Sequence, residues 1–590
     1  MFPPALRAQE TTGTISGTVT DGTGSAVPDA SVNVLQATTG ATRSTSTTPA
    51  GVFFFNVLPV GDYTLSVEKT GFTKQQKTGV HLDVNDKLNV NFVLNIGSVS
   101  ETVTVEADAS PLQTETAEVS NLIGAAQTQN LPLNGRDFNQ LVDLMPGVAP
   151  DNGKVGRGVG LNSDTSVSVN GSQSNSNVFL LDGQYNLDSG GNGNLLVTPS
   201  IDSIEEFKIL RNNYSAEFGS ATGGIINIIT KTGGQQFHGS AYDFLRNDAL
   251  DASDPFLRAG GVPKSKLRYN NFGFSVGGPF WIPGKLNTGK KSDFFFASAE
   301  WRREIRGSAF SDNVPSARQR MGILDPACTA TPQPCTVLPV DPFEFIVNGG
   351  AGALNVPANM IDPNAAAFLA RYPMPNAPAA SGNNYIVSGN KTTNDHQWLG
   401  RWDHNFGSNH TLMGRYIQMK QALIGVNNEV FGPGDNFPDV NTDWSWIGRS
   451  AIIKFTSTLS SRLVNDFDFG YSRNFLNHHT GATSDPAISG RQGFTYTELF
   501  PETSGSFPTL MNGGTGSGVD VFGPLNNRTP FENHSDNFQL KDDISYIFGR
   551  HNLKVGAGSR WNRKTEPANG GDNETAGTVT ASNFHDFLLG

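Results

Sequence analysis

The stretch Arg462-Leu-Val-Asn-Asp-Phe-Asp-Phe-Gly-Tyr-Ser-Arg-Asn-Phe475 decides the fold. In an extended chain, Leu463, Phe467, Phe469, Tyr471 and Phe475 share one face, while Arg462, Asp466, Asp468, Ser472 and Asn474 share the other. The pattern recurs in Asn537–Phe548, where Phe538, Leu540, Ile544, Tyr546 and Phe548 oppose Gln539, Lys541, Asp543 and Ser545. It recurs again where Leu553, Val555, Ala557 and Trp561 alternate with Lys554, Arg560 and Asn562. Each run is about as long as a tilted membrane-spanning strand, roughly 9–11 residues. Apolar-out, polar-in alternation is what a water-filled barrel in lipid requires. A soluble sandwich or propeller also alternates. Against that, the runs are long, and Trp301, Trp398, Trp402, Tyr416, Tyr471 and Trp561 sit near segment ends, as interfacial girdles would.

Composition agrees with a mainly β protein. Of 590 residues only 16% are charged, against about a quarter in ordinary soluble domains, and 66 glycines and 39 phenylalanines point to many turns and aromatic-bearing strands. The length predicts roughly three to five units. A net charge of −12 without a clustered basic face excludes a nucleic-acid partner. No apolar run reaches the length of a spanning helix, which leaves a barrel open.

Upstream, residues 13–96 carry short strands with turn signals about every ten residues, the pattern of a β-sandwich. Ala50-Gly51, Phe53-Phe-Phe55, Leu58-Pro59, Gly61 and Tyr63 make this unit similar to the carboxypeptidase-regulatory-like module, of transthyretin or immunoglobulin-like architecture. That module carries no catalytic residues. None of the ten histidines has a Glu three positions later, so zinc-ligand spacing of the H-x-x-E type is absent and no metal or cofactor is expected. Residues 1–12 read as a leader or the remnant of a signal peptide whose start lies upstream.

Glu101-Thr-Val-Thr-Val-Glu-Ala107 follows, a β-branched, strictly alternating heptapeptide. By pattern it is either a last strand of the sandwich or a segment free to add to another protein's sheet edge through main-chain hydrogen bonds. It is similar to the TonB box of TonB-dependent receptors. The resemblance implies that Glu101, Thr102, Val103, Thr104, Val105, Glu106 and Ala107 bind TonB, which is energised by its inner-membrane complex.

Residues 109–232 resemble the plug of the same family. The similarity rests on Leu131-Pro-Leu-Asn-Gly-Arg-Asp-Phe138, Pro146-Gly-Val148, Val178-Phe-Leu-Leu-Asp-Gly183, Ile204-Glu-Glu-Phe207, Tyr214-Ser-Ala-Glu-Phe-Gly219 and Gly223-Gly-Ile-Ile-Asn-Ile-Ile-Thr-Lys231. Six ordered motifs are far more specific than one, and they fit the large, sandwich-bearing subgroup called Oar-like. Asn134, Gly135, Arg136, Asp182, Gly183, Gly223 and Gly224 are the motif residues to locate in the fold. The apolar runs Phe179–Leu181 and Ile225–Ile229 suit strands buried on both faces, and Gly219, Gly223 and Gly224 would permit tight turns between them.

The expected order is therefore a leader (1–12), a sandwich (13–96), a TonB-box-like segment (97–108), an α+β plug (109–232) and a partial antiparallel barrel (233–590). A long irregular loop is expected at about 305–393, with a short helix capped by Asp362 and started by Pro363. The phrase Arg371-Tyr-Pro-Met-Pro-Asn376 is again similar to Oar-like receptors. Cys328 and Cys335 in that loop read as a local disulfide or as two unpaired thiols; a bridge would contribute roughly 2–3 kcal/mol. About ten spanning runs are legible, whereas the resemblance implies a 22-stranded barrel, so the chain is expected to lack later strands.

Gly273-Phe-Ser-Val-Gly277 matches the hydrolase G-x-S-x-G pattern, but a turn follows it where an elbow needs a helix, so Ser275 reads as a strand residue and no enzyme is expected. His478 and His479 read as exposed loop histidines. The resemblance implies TonB-driven transport of a large oligosaccharide, peptide or polymer by an outer-membrane protein of a Gram-negative bacterium, in contact with lipid and with an extracellular substrate. The alternative is a surface adhesin or glycan-binding protein that does not transport.

Overall fold

The computed structural model describes residues 11–97, 102–106, 115–131, 133–150, 167–173, 176–188, 194–253, 255, 258, 264–312, 314–324, 356–376, 384–425, 442–480, 493, 495, 509–512, 531–565, 578–581 and 584–589. The leader residues 1–10, Glu101, Ala107, Cys328 and Cys335 lie outside them, as does most of the long loop.

The first unit is built from β1 (Gly13–Asp21), β2 (Ser31–Gln36), β3 (Thr42–Ser46), β4 (Val52–Leu58), β5 (Gly61–Glu68), β6 (Lys74–Leu82), β7 (Lys87–Asn89), β8 (Phe92–Leu94) and β9 (Thr102–Glu106). One sheet has the order β4-β1-β7 with β8 also on β1, and the other runs β3-β2-β5-β6-β9. Alternate residues from the two sheets, including Ile15, Val19, Phe53, Phe55, Leu65, Val67 and Phe92, form the buried core between them.

The second unit contains β10 (Val119–Gly124), β11 (Val148–Pro150), β12 (Val167–Val169), β13 (Val178–Leu181), β14 (Gln184–Tyr185), β15 (Ile204–Asn212) and β16 (Ile225–Thr230). Five of them form a mixed sheet, β10-β15-β16-β13-β14, in which β13 and β16 are parallel. Every residue of β13 and β16 is buried, as continuous apolar runs demand.

The third unit is an antiparallel meander of nine strands: β17 (His238–Asn247), β18 (Leu267–Pro279), β19 (Asp293–Asp312), β20 (Tyr385–Phe406), β21 (His410–Gly425), β22 (Thr442–Ser460), β23 (Leu463–Thr480), β25 (Phe531–Phe548) and β26 (His551–Thr565). A short parallel pair, β24 (Thr509–Asn512) with β27 (Thr578–Ala581), lies outside it. The alternation read from the sequence is physically inverted relative to a soluble protein. Asp466, Asp468, Ser472, Asn474, Lys541, Asp543 and Ser545 are buried on the concave face. Phe469, Phe538, Leu540, Ile544, Tyr546, Val555 and Trp561 are exposed on the convex one. Among the described residues no helix is long and apolar enough to cross a membrane.

Three expectations are corrected here. β19 and β20 pair continuously from Asp293↔His404 to Asp312↔Tyr385, so the irregular insertion is narrower than 305–393 and its two flanks are sheet. Because the strands run past the spanning length, the girdle aromatics lie within strands and not at their ends. Trp301 stacks on Phe272 at 5.5 Å and meets Trp398 edge-on at 5.6 Å, forming a belt across β18, β19 and β20. His478 and His479 lie in β23, opposite Trp444 and Asp443, and not in a loop. The helix Pro363–Leu369 does form, with the Asp362 carboxylate accepting from the amides of Asn364 (2.8 Å) and Ala365 (3.2 Å).

Candidate functional site

The plug sheet is seated on the concave barrel wall, and the motif residues make that contact. Asp182 and Gly183 are the two central residues of the β13–β14 hairpin, with φ of 51° and 82°. Such a turn needs positive φ at both positions, which is why the pair is Asp-Gly. The turn presents the Asp182 carboxylate to four donors: the Thr230 amide (2.9 Å), the Thr230 hydroxyl (3.0 Å), Arg415 Nε (2.9 Å) and, more distantly, Arg401 Nη1 (3.9 Å). Arg415 belongs to β21 and its side chain is fully buried; it also donates to Leu181 O (3.2 Å) and Ser450 Oγ (2.7 Å). Arg401, on β20, is held by Asp403 through both carboxylate oxygens at 2.9 Å and donates to Thr230 O at 2.8 Å.

Arg136 makes a second link. Gly135 and Arg136 both have positive φ (71° and 55°), which throws the guanidinium toward the wall. There it pairs with Asp202, lies 3.9 Å from Glu300 of β19, and stacks on Tyr242 and Phe244 at 4.6 and 4.4 Å. The side chain of Asn134 is outside the described residues. Next to it Asp137 is buried; desolvation pushes its carboxyl up to about 7.

Gly223 and Gly224 are required for space, not for turn geometry: neither has positive φ. A Cβ on Gly223 would lie 2.4 Å from Asn177 Oδ1, and one on Gly224 would lie 3.0 Å from Val169 Cγ2. Asn177 needs that room because its Oδ1 accepts from the Gly224 amide at 2.8 Å.

Several wall residues escaped the sequence reading except as polar positions of a strand. Lys541 is buried 3.0 Å from Asp543, 3.7 Å from Asp468 and 3.9 Å from Asp466, and Lys454 adds a contact of 3.2 Å to Asp468. Lys554 pairs with Glu217 of the plug at 2.6 Å, and Lys564 with Asp188 at 3.1 Å. Ser275 lies in β18 and bonds the Ser240 hydroxyl at 2.9 Å, so the G-x-S-x-G match is part of a sheet.

Thr102–Glu106 forms β9, paired in parallel with β6 from Lys74↔Thr102 to Thr78↔Glu106. Of the two readings of this segment, the structure shows the last strand of the sandwich: it covers the edge of β6, and among the described residues no strand pairs with its outer edge. Val103 remains exposed there.

The sandwich meets the end of the barrel where the tight turns lie. Asn56 and Asn552 exchange amide hydrogen bonds at 2.9 and 2.7 Å, and Thr45 donates to Ser461 O at 3.1 Å. It meets the plug where the Val84 amide donates to Glu206 at 2.5 Å and Lys208 pairs with Asp86. Beside them His81, Asp83 and Glu206 converge, a cluster that H-x-x-E spacing could not reveal because Glu206 belongs to the plug.

Three regions match known families: residues 14–95 the carboxypeptidase regulatory-like domain, 111–225 the TonB-dependent receptor plug domain, and 229–590 the outer membrane beta barrel domain. The chain is 30% identical over 236 residues to the TonB-dependent transporter Oar of Myxococcus xanthus, a match covering 38% of this chain and 21% of that protein. Among solved structures it is similar to the siderophore receptor PirA of Pseudomonas aeruginosa (11% identity, TM-score 0.38, 76% of this chain and 49% of that one). It is also similar to the outer membrane transporter YddB of Escherichia coli (10% identity, TM-score 0.42, 75% and 48%). The chain spans about a fifth of the curated relative and about half of the solved receptors.

Proposed function

Given that this chain belongs to the outer membrane beta barrel family, as a TonB-dependent receptor of the Gram-negative outer membrane with a regulatory-like sandwich and a plug, we propose that it moves a large substrate across that membrane using force delivered by TonB to Glu101–Ala107. The observation that carries the reading is β9: an extended strand at the edge of the sandwich sheet, with no strand on its other side among the described residues, followed in the chain by a plug seated on the barrel wall. Free main-chain donors and acceptors can pair with a strand of TonB, and that pairing tolerates changed side chains but not a missing N–H. The plug would then be drawn from the wall, where its polar contacts can be exchanged for water while its apolar contacts with Phe296, Leu399 and Ile417 would be given up. The long segment between β19 and β20 supports a substrate of oligosaccharide, peptide or polymer size.

The test is retention of the purified TonB periplasmic domain by the detergent-solubilised chain, wild type against Val103→Pro. Wild type is expected to retain TonB and the proline variant to lose it. Equal retention by both would remove the TonB role from this strand and favour the adhesin alternative.

A further inference from the structure

We propose that His81, Asp83 and Glu206 form a binding site for a divalent cation of the zinc class, completed only when the sandwich docks on the plug. One donor atom from each residue lies within 4.8 Å of the others. His81 Nε2 is 3.0 Å from Asp83 Oδ1, close to the ligand-to-ligand edge of roughly 3.3 Å expected for tetrahedral zinc with bonds near 2.0 Å. A nitrogen and two carboxylates, with a further position left for water, is a donor set that zinc accepts.

The surroundings are arranged as those of a ligating histidine. Asp62 faces His81 across the β5–β6 pair, and its carboxylate lies 2.7 Å from His81 Nδ1. Both ring nitrogens thus face carboxylates, Nδ1 that of Asp62 and Nε2 that of Asp83; with a metal bound, Asp62 would keep the Nδ1 proton and leave Nε2 to ligate, the carboxylate–histidine–metal pattern. Asp83 follows two residues after His81, which in extended chain puts both on one face. Glu206 arrives from β15 and is anchored by the Val84 amide on one oxygen, so its approach depends on the docked interface.

Charge points the same way. Asp62, Asp83 and Glu206 gather three carboxylates around one imidazole. The nearby Lys208 is engaged by Asp86, both side chains being buried. A divalent ion would balance this charge and clip the sandwich to the plug.

The experiment uses the full chain in detergent, stripped of metal, titrated with zinc alone by calorimetry against a competing chelator. One site is expected in the wild type. Glu206→Gln and His81→Gln should each weaken it at least ~10-fold, and Asp62→Asn, which touches no metal, by ~10- to 100-fold. In parallel, zinc should slow proteolysis between the sandwich and the plug in wild type and leave Glu206→Gln unaffected. The proteolysis pattern of each metal-free variant reports whether it is folded. No zinc binding by the wild type, or unchanged binding in folded Glu206→Gln and His81→Gln, would overturn the proposal and leave the cluster as a proton-sharing salt bridge.

Discussion

Replacing Asp182 with Asn is the sharpest perturbation of the contact between plug and wall. The two side chains have the same shape, so packing is kept and charge alone is lost. In the native fold the carboxylate accepts from the Thr230 amide and hydroxyl and from Arg415, and both Asp182 and Arg415 are almost fully buried. The asparagine amide has one acceptor for these donors and points two hydrogens at them. Arg415 is left with Leu181 O and Ser450 as neutral partners. Breaking one side of a buried pair costs roughly 3–5 kcal/mol, because the remaining charge stays desolvated. Hydrogen exchange of the β16 amides reads this directly, since the Thr230 N–H bonds to the mutated group. At about 1.4 kcal/mol per tenfold, exchange should accelerate by roughly 10²- to 10⁴-fold. The double variant Asp182→Asn/Arg415→Gln should exchange more slowly than the single one, since it no longer buries a lone charge. Acceleration below tenfold, or a double variant no slower, would show that the ion pair does not hold the plug.

Lys541→Gln should destabilise the barrel by a similar few kcal/mol in urea unfolding, because Asp466, Asp468 and Asp543 then face one another without the buried ammonium between them. Gly223→Ala should cost about 1–3 kcal/mol in plug stability by pressing on Asn177 Oδ1, while Gly400→Ala in the barrel, where a Cβ meets nothing within 4 Å, should cost little. Asp137 titrates near 7 in the fold and near 3.8 when unfolded, so the native plug holds a proton that the unfolded chain has released. Plug stability from this group is therefore complete below pH 4 and falls by about 1.4 kcal/mol per pH unit up to about pH 7. Thermal melts of Asp137→Asn should lack that slope; a wild type equally stable at pH 4.5 and pH 7 would contradict it.

The barrel was legible because lipid forces a rule that acts at every second residue. The alternation around Asp466, Asp468 and Phe469 carries its own meaning without knowledge of any partner. Glycines were read by the wrong mechanism: Gly223 looks like a turn residue in sequence, yet what constrains it is Asn177, whose approach exists only in three dimensions. The Asp182–Arg415 pair was out of reach for the same reason. Asp182 is a turn residue of one unit and Arg415 an ordinary polar position of a strand in another, and only the seating of the two units makes them partners. Thr102–Glu106 shows the limit of strand periodicity, which reports an extended chain but not the sheet it joins; parallel pairing to β6 was decided by the unfilled edge of the sandwich sheet. Strand ends at β19 and β20 were lost because hydrogen bonding between two antiparallel segments continues where the hydrophobic alternation has faded.

The hairpin formed by β19 and β20 has a further consequence for reach. Its 20 and 22 residues, at about 3.3 Å each and tilted by about 40°, rise roughly 50 Å along the barrel axis, against an apolar band of about 25 Å. The described residues beyond its tip, 314–324 and 356–376, are therefore carried past a band of that height on a stiff, doubly hydrogen-bonded mast.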